Sequence, residues 1–393
     1  MSDNRREFIK KGASLAAAIS VTGLTACTQT AKNESENKPK QKIQWPVEEG
    51  PDTPKLTLSS RPDATPESMR MLKQIGVDHV LMSGPSLPWT ESGLRPIMDR
   101  YKAEGLTVIN MMFSGFPNVI YGREGRDEEI EKVKASILAA SAVGLPIMEY
   151  NFYAHRLTEG YYRSFGRGGA GYTSFDYNRT GGNPDGLEWM YRKSLPAEEM
   201  NTAAKDMSPL PDGTFTSEQL WDNITYFLKA IVPVAEKAGV RLALHPNDPP
   251  APISRGSEQI MGTFEDWKRL VNIVDSPSNG MTYDSGVANE IGADPLEVLD
   301  YLSSRDRINH VHYRNCIVET PRLKYDEVFP DNGTVDMFAV MQKLVNAKYK
   351  YSLYPEHPRA LTHDLEHPGG GEYTGLAYNM AYAKAMMQAA LSL

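Results

Sequence analysis

The sequence predicts an α/β fold, a (β/α)8 barrel carrying a long insertion after its fourth strand. Eight short apolar runs alternate with helical patterns over roughly 340 residues beyond position 54. No glycine-rich G-x-G-x-x-G turn follows the first run, which speaks against a dinucleotide-binding open sheet. Several runs stop abruptly in polar, titratable residues, the pattern of barrel strands that carry chemistry at their C-terminal ends.

Residues 1–27 stand outside the barrel. Paired Arg5 and Arg6, Phe8 and an apolar stretch from Ala13 to Leu24, too short to span a bilayer, have the form of a twin-arginine export signal. The stretch ends in Leu24-Thr25-Ala26-Cys27, the form of a lipobox, which makes Cys27 the expected lipidation site. Residues 28–54 are polar and proline-bearing and read as a flexible tether. The expected product is an exported, periplasmic lipoprotein that touches the membrane only through its N-terminal anchor. Cys316 is the other cysteine, so no disulfide is expected within the mature chain.

The barrel domain, 55–393, opens with the strands KLTLSS (55–60), HVLMSG (79–84) and TVINMMF (107–113). The fourth, PIMEYNF (146–152), places Glu149 and Asn151 on one face. A segment too long for an ordinary connection follows, 153–215, rich in Gly, Tyr and Arg. It reads as a lid over the barrel mouth, with His155, Arg156, Tyr177 and Arg179 as substrate contacts beside Asn151. Contact with a second copy in a homo-oligomer is its other use.

The following helix is marked by a Thr216/Gln219 capping box, by Gly239 as its stop, and by Leu220, Ile224, Phe227, Leu228 and Ile231 at helical period. Strand five, VRLALHP (240–246), turns Val240, Leu242 and Leu244 to the helices, and Ala243 and His245 inward. GMTYDSG (280–286) pairs Thr282 with Asp284 by the same parity. INHVHYRN (308–315) aligns His310, His312 and Arg314, and YSLYPEH (351–357) aligns Ser352, Tyr354 and Glu356.

These parities gather Glu149, His245, Asp284, His312 and Glu356 at one mouth of the barrel. Two imidazoles with two or three carboxylates suit Mn²⁺, Mg²⁺, Fe²⁺ or Zn²⁺, and the lack of a thiolate favours the harder ions. His79 begins a strand away from that mouth and reads as structural. With a net charge of −8, the chain has no basic stripe for nucleic acid.

The stretches EQLWDNITYFLKAIVPVAEKAGVRLALHPNDPP, LVNIVDSPSNGMTY, VHYRN, GTVDMFAVM and YPEHPRA, with YNF at 150–152, resemble the mannonate dehydratase family of the xylose-isomerase-like barrels. The resemblance implies one divalent metal, usually Mn²⁺, held at His245, Asp284, His312 and Glu356, the four residues that parity selects. Asp284 stands where that family usually carries cysteine, Glu356 where it carries aspartate, and Pro330 where it tends to carry histidine. The implied reaction removes the C2 proton of D-mannonate and the C3 hydroxyl, giving 2-keto-3-deoxygluconate. His357 is then expected as acid or base and Arg314 as a clamp for the substrate carboxylate. Two other readings compete: an isomerase or epimerase of the same barrel superfamily acting on a free sugar, and a non-catalytic sugar-binding lipoprotein.

Overall fold

The computed structural model describes residues 47, 49–157, 160–179, 181–182, 203–204, 209, 213–366 and 373–393. The export signal, the lipobox with Cys27 and most of the tether lie outside the described residues, as does part of the insertion. No helix among the described residues is long and apolar enough to cross a membrane.

All eight expected strands form and close one parallel barrel. In chain order they are β1 (Lys55–Ser59), β2 (His79–Ser83), β3 (Thr107–Met112), β4 (Ile147–Tyr150), β7 (Arg241–Leu244), β8 (Asn279–Asp284), β9 (Ile308–His312) and β12 (Ser352–Tyr354). Each pairs with its neighbours in sequence, and β12 closes on β1 through Lys55 opposite Ser352. Helices follow the strands on the outside. The main core lies between the strands' outer faces and those helices, and it includes Val240, Leu242 and Leu244 but not the inward-facing Ala243.

The helix Ser217–Ala238 shows how local chemistry sets these boundaries. Thr216 Oγ1 accepts from the Gln219 amide at 3.2 Å while Gln219 Oε1 accepts from the Thr216 amide at 2.9 Å. Gly239 ends the helix at φ 69°, a conformation that costs a side-chain-bearing residue about 1 kcal/mol. The five apolar residues expected on its inner face are all buried.

The insertion after β4 is more than a loop. Its described part contains β5 (Tyr161–Phe165) and β6 (Gly171–Asp176), which pair with β10 (Asn315–Thr320) and β11 (Lys324–Val328) in an antiparallel sheet ordered β10-β11-β6-β5. Half of this cap sheet therefore comes from the connection after β9. Two small apolar clusters hold the sheet together and to its surroundings. One contains Leu157, Tyr161, Phe175, Ala251 and Tyr325, and the other Ala170, Tyr172, Val328 and Phe329.

Candidate metal centre and active site

Four consecutive barrel strands, β7, β8, β9 and β12, bring titratable residues to their C-terminal ends. His245 follows β7 directly, Asp284 and His312 end β8 and β9 as register partners, and Glu356 lies two residues past β12. One donor atom from each of the four falls within 4.8 Å of all the others. His312 Nδ1 is 3.0 Å from His245 Nε2, 2.8 Å from Glu356 Oε1 and 3.6 Å from Asp284 Oδ2. The parity argument thus selects a real constellation.

Each donor is aimed by a neighbour. His245 Nδ1 lies 2.6 Å from the Pro246 carbonyl, which can only accept, so Nδ1 carries the proton and Nε2 is left as the donor. His312 turns Nε2 towards Glu149 Oε1 at 3.6 Å, leaving Nδ1 for the centre. Asp284 caps the short helix Ser285–Glu290 by accepting from the Val287 amide through Oδ1 at 2.8 Å, so Oδ2 faces the other donors. Glu356 Oε1 is buried and, although close to His312, satisfies no hydrogen-bond geometry.

The quartet shares its space with the Arg314 guanidinium, whose Nε lies 3.0 Å from Asp284 Oδ2 and 3.3 Å from Glu356 Oε1. Burial opposes ionisation of His312, yet Glu356 and Asp284 outweigh it and push its pKa up to about 10. Burial likewise opposes ionisation of Glu356, but His312 and His357 bring its pKa down to about 2. Two imidazoles and two carboxylates, all buried or half-buried, fit a single divalent cation with mixed N/O ligation. A cation there would displace the His312 proton.

The chain matches the family model described as D-mannonate dehydratase (UxuA) over residues 62–392. It is 32% identical to the mannonate dehydratase of Streptococcus pneumoniae (strain 70585) over 288 residues, covering 68% of this chain and 75% of that one. The chain belongs to the D-mannonate dehydratase family. Its relatives include the enzyme of Streptococcus equi subsp. zooepidemicus, 28% identical over 83% of this chain and 92% of that one. The crystal structure of the Streptococcus suis serotype 2 mannonate dehydratase superposes with a TM-score of 0.71 at 26% identity, over 86% of this chain and 95% of that one. A xylose isomerase-like TIM barrel protein from Mycobacterium smegmatis shares the fold alone, with a TM-score of 0.53 at 14% identity and coverage of 88% and 100%. Membership in the D-mannonate dehydratase family places the chain among the hydro-lyases.

Within this family member, other residues singled out from sequence take up varied positions. Glu149 sits one layer deeper than the quartet, inside the barrel, where its carboxylate accepts from Asn110 Nδ2 and Thr282 Oγ1, each at 2.9 Å. It forms a separate group with His310 and His312, one layer below the four. The expected role of Arg314 as a clamp for a substrate carboxylate needs correction. The guanidinium is buried, and all three of its nitrogens already donate to protein: Nε to Asp284 at 3.0 Å, Nη1 to Glu290 at 2.7 Å and Nη2 to Asp248 at 3.1 Å.

His357 lies at the rim of the quartet, with Nε2 3.5 Å from Glu356 Oε2. Arg156 donates through Nε to the Asp248 carbonyl at 2.7 Å and lines a narrow cleft with His155, Tyr153 and Asn247. Tyr177 packs against the Tyr161–Phe175–Tyr325 cluster, and the Arg179 guanidinium lies over the Tyr162 ring at 4.0 Å on the outer strand of the cap sheet. Asn151 directs its amide at Met112 Sδ, 3.7 Å away. The structure thus gathers His357 and Arg314 with the quartet, and leaves Tyr177 and Arg179 on the cap.

Sequence reasoning missed Asp248, Glu290, Glu327, Arg359, Tyr161 and Tyr325. Asp248 is the hub of a buried network. Its Oδ1 accepts from Tyr161 at 2.7 Å and Tyr325 at 3.0 Å, both cap-sheet residues, while Oδ2 meets Arg314. Asp248, Glu327 and His357 also come within metal-binding reach, and Arg314 and Arg359 donate into the two carboxylates. Local alternation in KYDEV, Tyr325 and Glu327 against Asp326, was the available signal for the buried face of β11.

Proposed function

We propose that this protein is a divalent-metal dehydratase that converts D-mannonate, or a closely related hexonate, into its 2-keto-3-deoxy product and water. The convergence of His245, Asp284, His312 and Glu356 at four neighbouring strand ends carries this reading. Mn²⁺ is the first choice of ion and Mg²⁺, Fe²⁺ or Zn²⁺ the alternatives, since the donor set lacks a thiolate. When bound, such an ion supplies Lewis acidity to the oxygen on which charge builds as the C2 proton leaves. His357 is placed to exchange a proton at the rim, and Arg314 holds Asp284 in its coordinating rotamer. His155, Arg156 and Asn151 are assigned to substrate contact, and the cap sheet to covering the mouth.

The test is metal analysis of the purified protein, then incubation with D-mannonate and Mn²⁺ and assay of the 2-keto-3-deoxy product. Product from wild type, and loss of both metal and product in His245→Ala and His312→Ala, are expected. Metal-loaded protein that leaves every hexonate unchanged overturns the proposal.

A second reading is an epimerase or isomerase of free sugars, favoured by the two-histidine, two-carboxylate donor set. Interconversion of ketoses by the Mn²⁺-loaded protein, without dehydration of a hexonate, would establish it.

We further propose export and lipid anchoring, on the strength of Arg5-Arg6, the Ala13–Leu24 stretch and Leu24-Thr25-Ala26-Cys27. Palmitate labelling that disappears in Cys27→Ser is the expected result. Soluble, unlabelled wild type in the cytoplasm overturns this part.

A further inference from the structure

We infer that Asn379, on the last helix, is a positioning residue for Glu356, holding that side chain at the quartet by fastening its main chain. The inference rests on the reading of the quartet as a divalent-metal site, and it adds a residue that no strand end supplies. Glu356 lies two residues beyond β12, outside the barrel ladder. The pairing of β12 with β9 ends at Tyr354, opposite His312, where the Tyr354 carbonyl accepts from the Tyr313 amide at 2.8 Å. From Pro355 onward the strand no longer fixes the chain, and at His357 the backbone turns left-handed, with φ 46°. A glutamate in such a segment needs other support if its carboxylate is to stay beside His245, Asp284 and His312.

Asn379 provides that support. It lies on the helix Tyr373–Leu391 with its side chain buried. Nδ2 donates to the Glu356 carbonyl at 3.0 Å and to the Pro355 carbonyl at 3.3 Å. Both partners can only accept, so the orientation of the amide is set, with its nitrogen towards the segment. The amide oxygen is buried and accepts from none of the described residues. Stranding an acceptor in this way costs stability, and an apolar side chain of similar size would avoid the cost. What the amide contributes is therefore the pair of bonds from its nitrogen.

The helix is shaped to come this close. Gly375 stands one turn before Asn379 on the same face, and a β-carbon there would collide with the Arg359 carbonyl. The next carbonyl along the segment, that of His357, accepts from Arg359 Nη2 at 2.8 Å. Three successive carbonyls are thus held by side chains instead of by a strand. Arg359 belongs to the segment itself, so it is Asn379 that ties the Glu356 main chain to the helix layer.

The test is isothermal titration of the metal-stripped, full-length protein with Mn²⁺, comparing wild type with Asn379→Leu, which keeps the size of the side chain and removes the donor. Asn379→Leu should bind Mn²⁺ roughly 10- to 100-fold more weakly, as loss of outer-shell support does. Met380→Ala is the control: it opens a cavity at the next position of the same helix, where the side chain is buried in the core, and should leave the affinity near the wild-type value. An Asn379→Leu affinity equal to wild type overturns the inference. An equal loss in Met380→Ala overturns it too, because helix packing would then be the cause. If Asn379→Leu does not fold, Asn379→Ala decides by the same comparison. A wild type that binds no divalent cation defeats the metal reading and the inference with it, whereas one that binds Mn²⁺ but dehydrates no hexonate defeats the dehydratase reading alone.

Discussion

Arg314 Nε donates to Asp284 Oδ2 across 3.0 Å, with both side chains shut off from solvent. That one bond joins the quartet to a second set of charges, because the remaining nitrogens of Arg314 reach Glu290 and Asp248. Replacing Arg314 by Leu would leave three buried carboxylates without their cation. Loss of one partner from a buried ionic cluster costs about 3–5 kcal/mol, so urea denaturation of Arg314→Leu should show a drop of that order. Arg314→Lys should recover only part, since an ammonium lacks the three-way fork. Wild-type stability in Arg314→Leu would show that the carboxylates find other partners.

Glu149 acts on the centre from beneath. Facing His312 Nε2 at 3.6 Å, it directs the ring without contributing a donor to the quartet. Glu149→Gln should weaken metal affinity by about 10- to 100-fold, as outer-shell substitutions do, without abolishing it. Isothermal titration with Mn²⁺ measures this. Complete loss of binding would instead make Glu149 a fifth ligand.

Tyr161 and Tyr325 share one acceptor, Asp248 Oδ1. Either phenol alone keeps that oxygen hydrogen-bonded, so Tyr161→Phe or Tyr325→Phe should cost about 1 kcal/mol each. The double variant should cost more than the sum, because it strands a buried carboxylate oxygen. A double-mutant cycle on unfolding free energies reads the coupling, and strict additivity would count against a shared bond.

His310 sets a pH dependence. Burial holds its pKa down to about 4, against an ordinary value near 6.5 that it regains on unfolding. Between those values the unfolded chain binds a proton that the folded one refuses. Stability from this group is therefore complete above about pH 6.5 and is lost as pH falls to about 4, a change on the order of 3 kcal/mol. In chelator-treated protein, His310→Gln should show a shallower loss of stability between pH 7 and pH 5 than wild type. Equal slopes would mean that His310 titrates normally.

The quartet was legible because its placement is a local property. Alternation along a strand tells which residues point inward, and Ala243, Thr282, His310 and Ser352 count back correctly from His245, Asp284, His312 and Glu356. The cap sheet was not legible in this way. Pairing of β6 with β11 brings Thr173 to Glu327 and Phe175 to Tyr325 across some 150 residues of chain, and neither hairpin alone announces that register. Arg314 shows both sides: its direction followed from parity, but its partners Glu290 and Asp248 sit on other connections, where sequence spacing carries no distance.

The four donors all come from the second half of the barrel, β7, β8, β9 and β12, which stand side by side around the ring. The mouth is therefore lopsided: the four converging side chains are confined to one arc, and the tips of β1 to β4 form the opposite arc. Those first four strands contribute none of the four donors, and only Glu149 of β4 reaches the quartet, by facing His312 from beneath. Such a division gives one half of the molecule room to diverge while the other is held by the convergence of its four side chains.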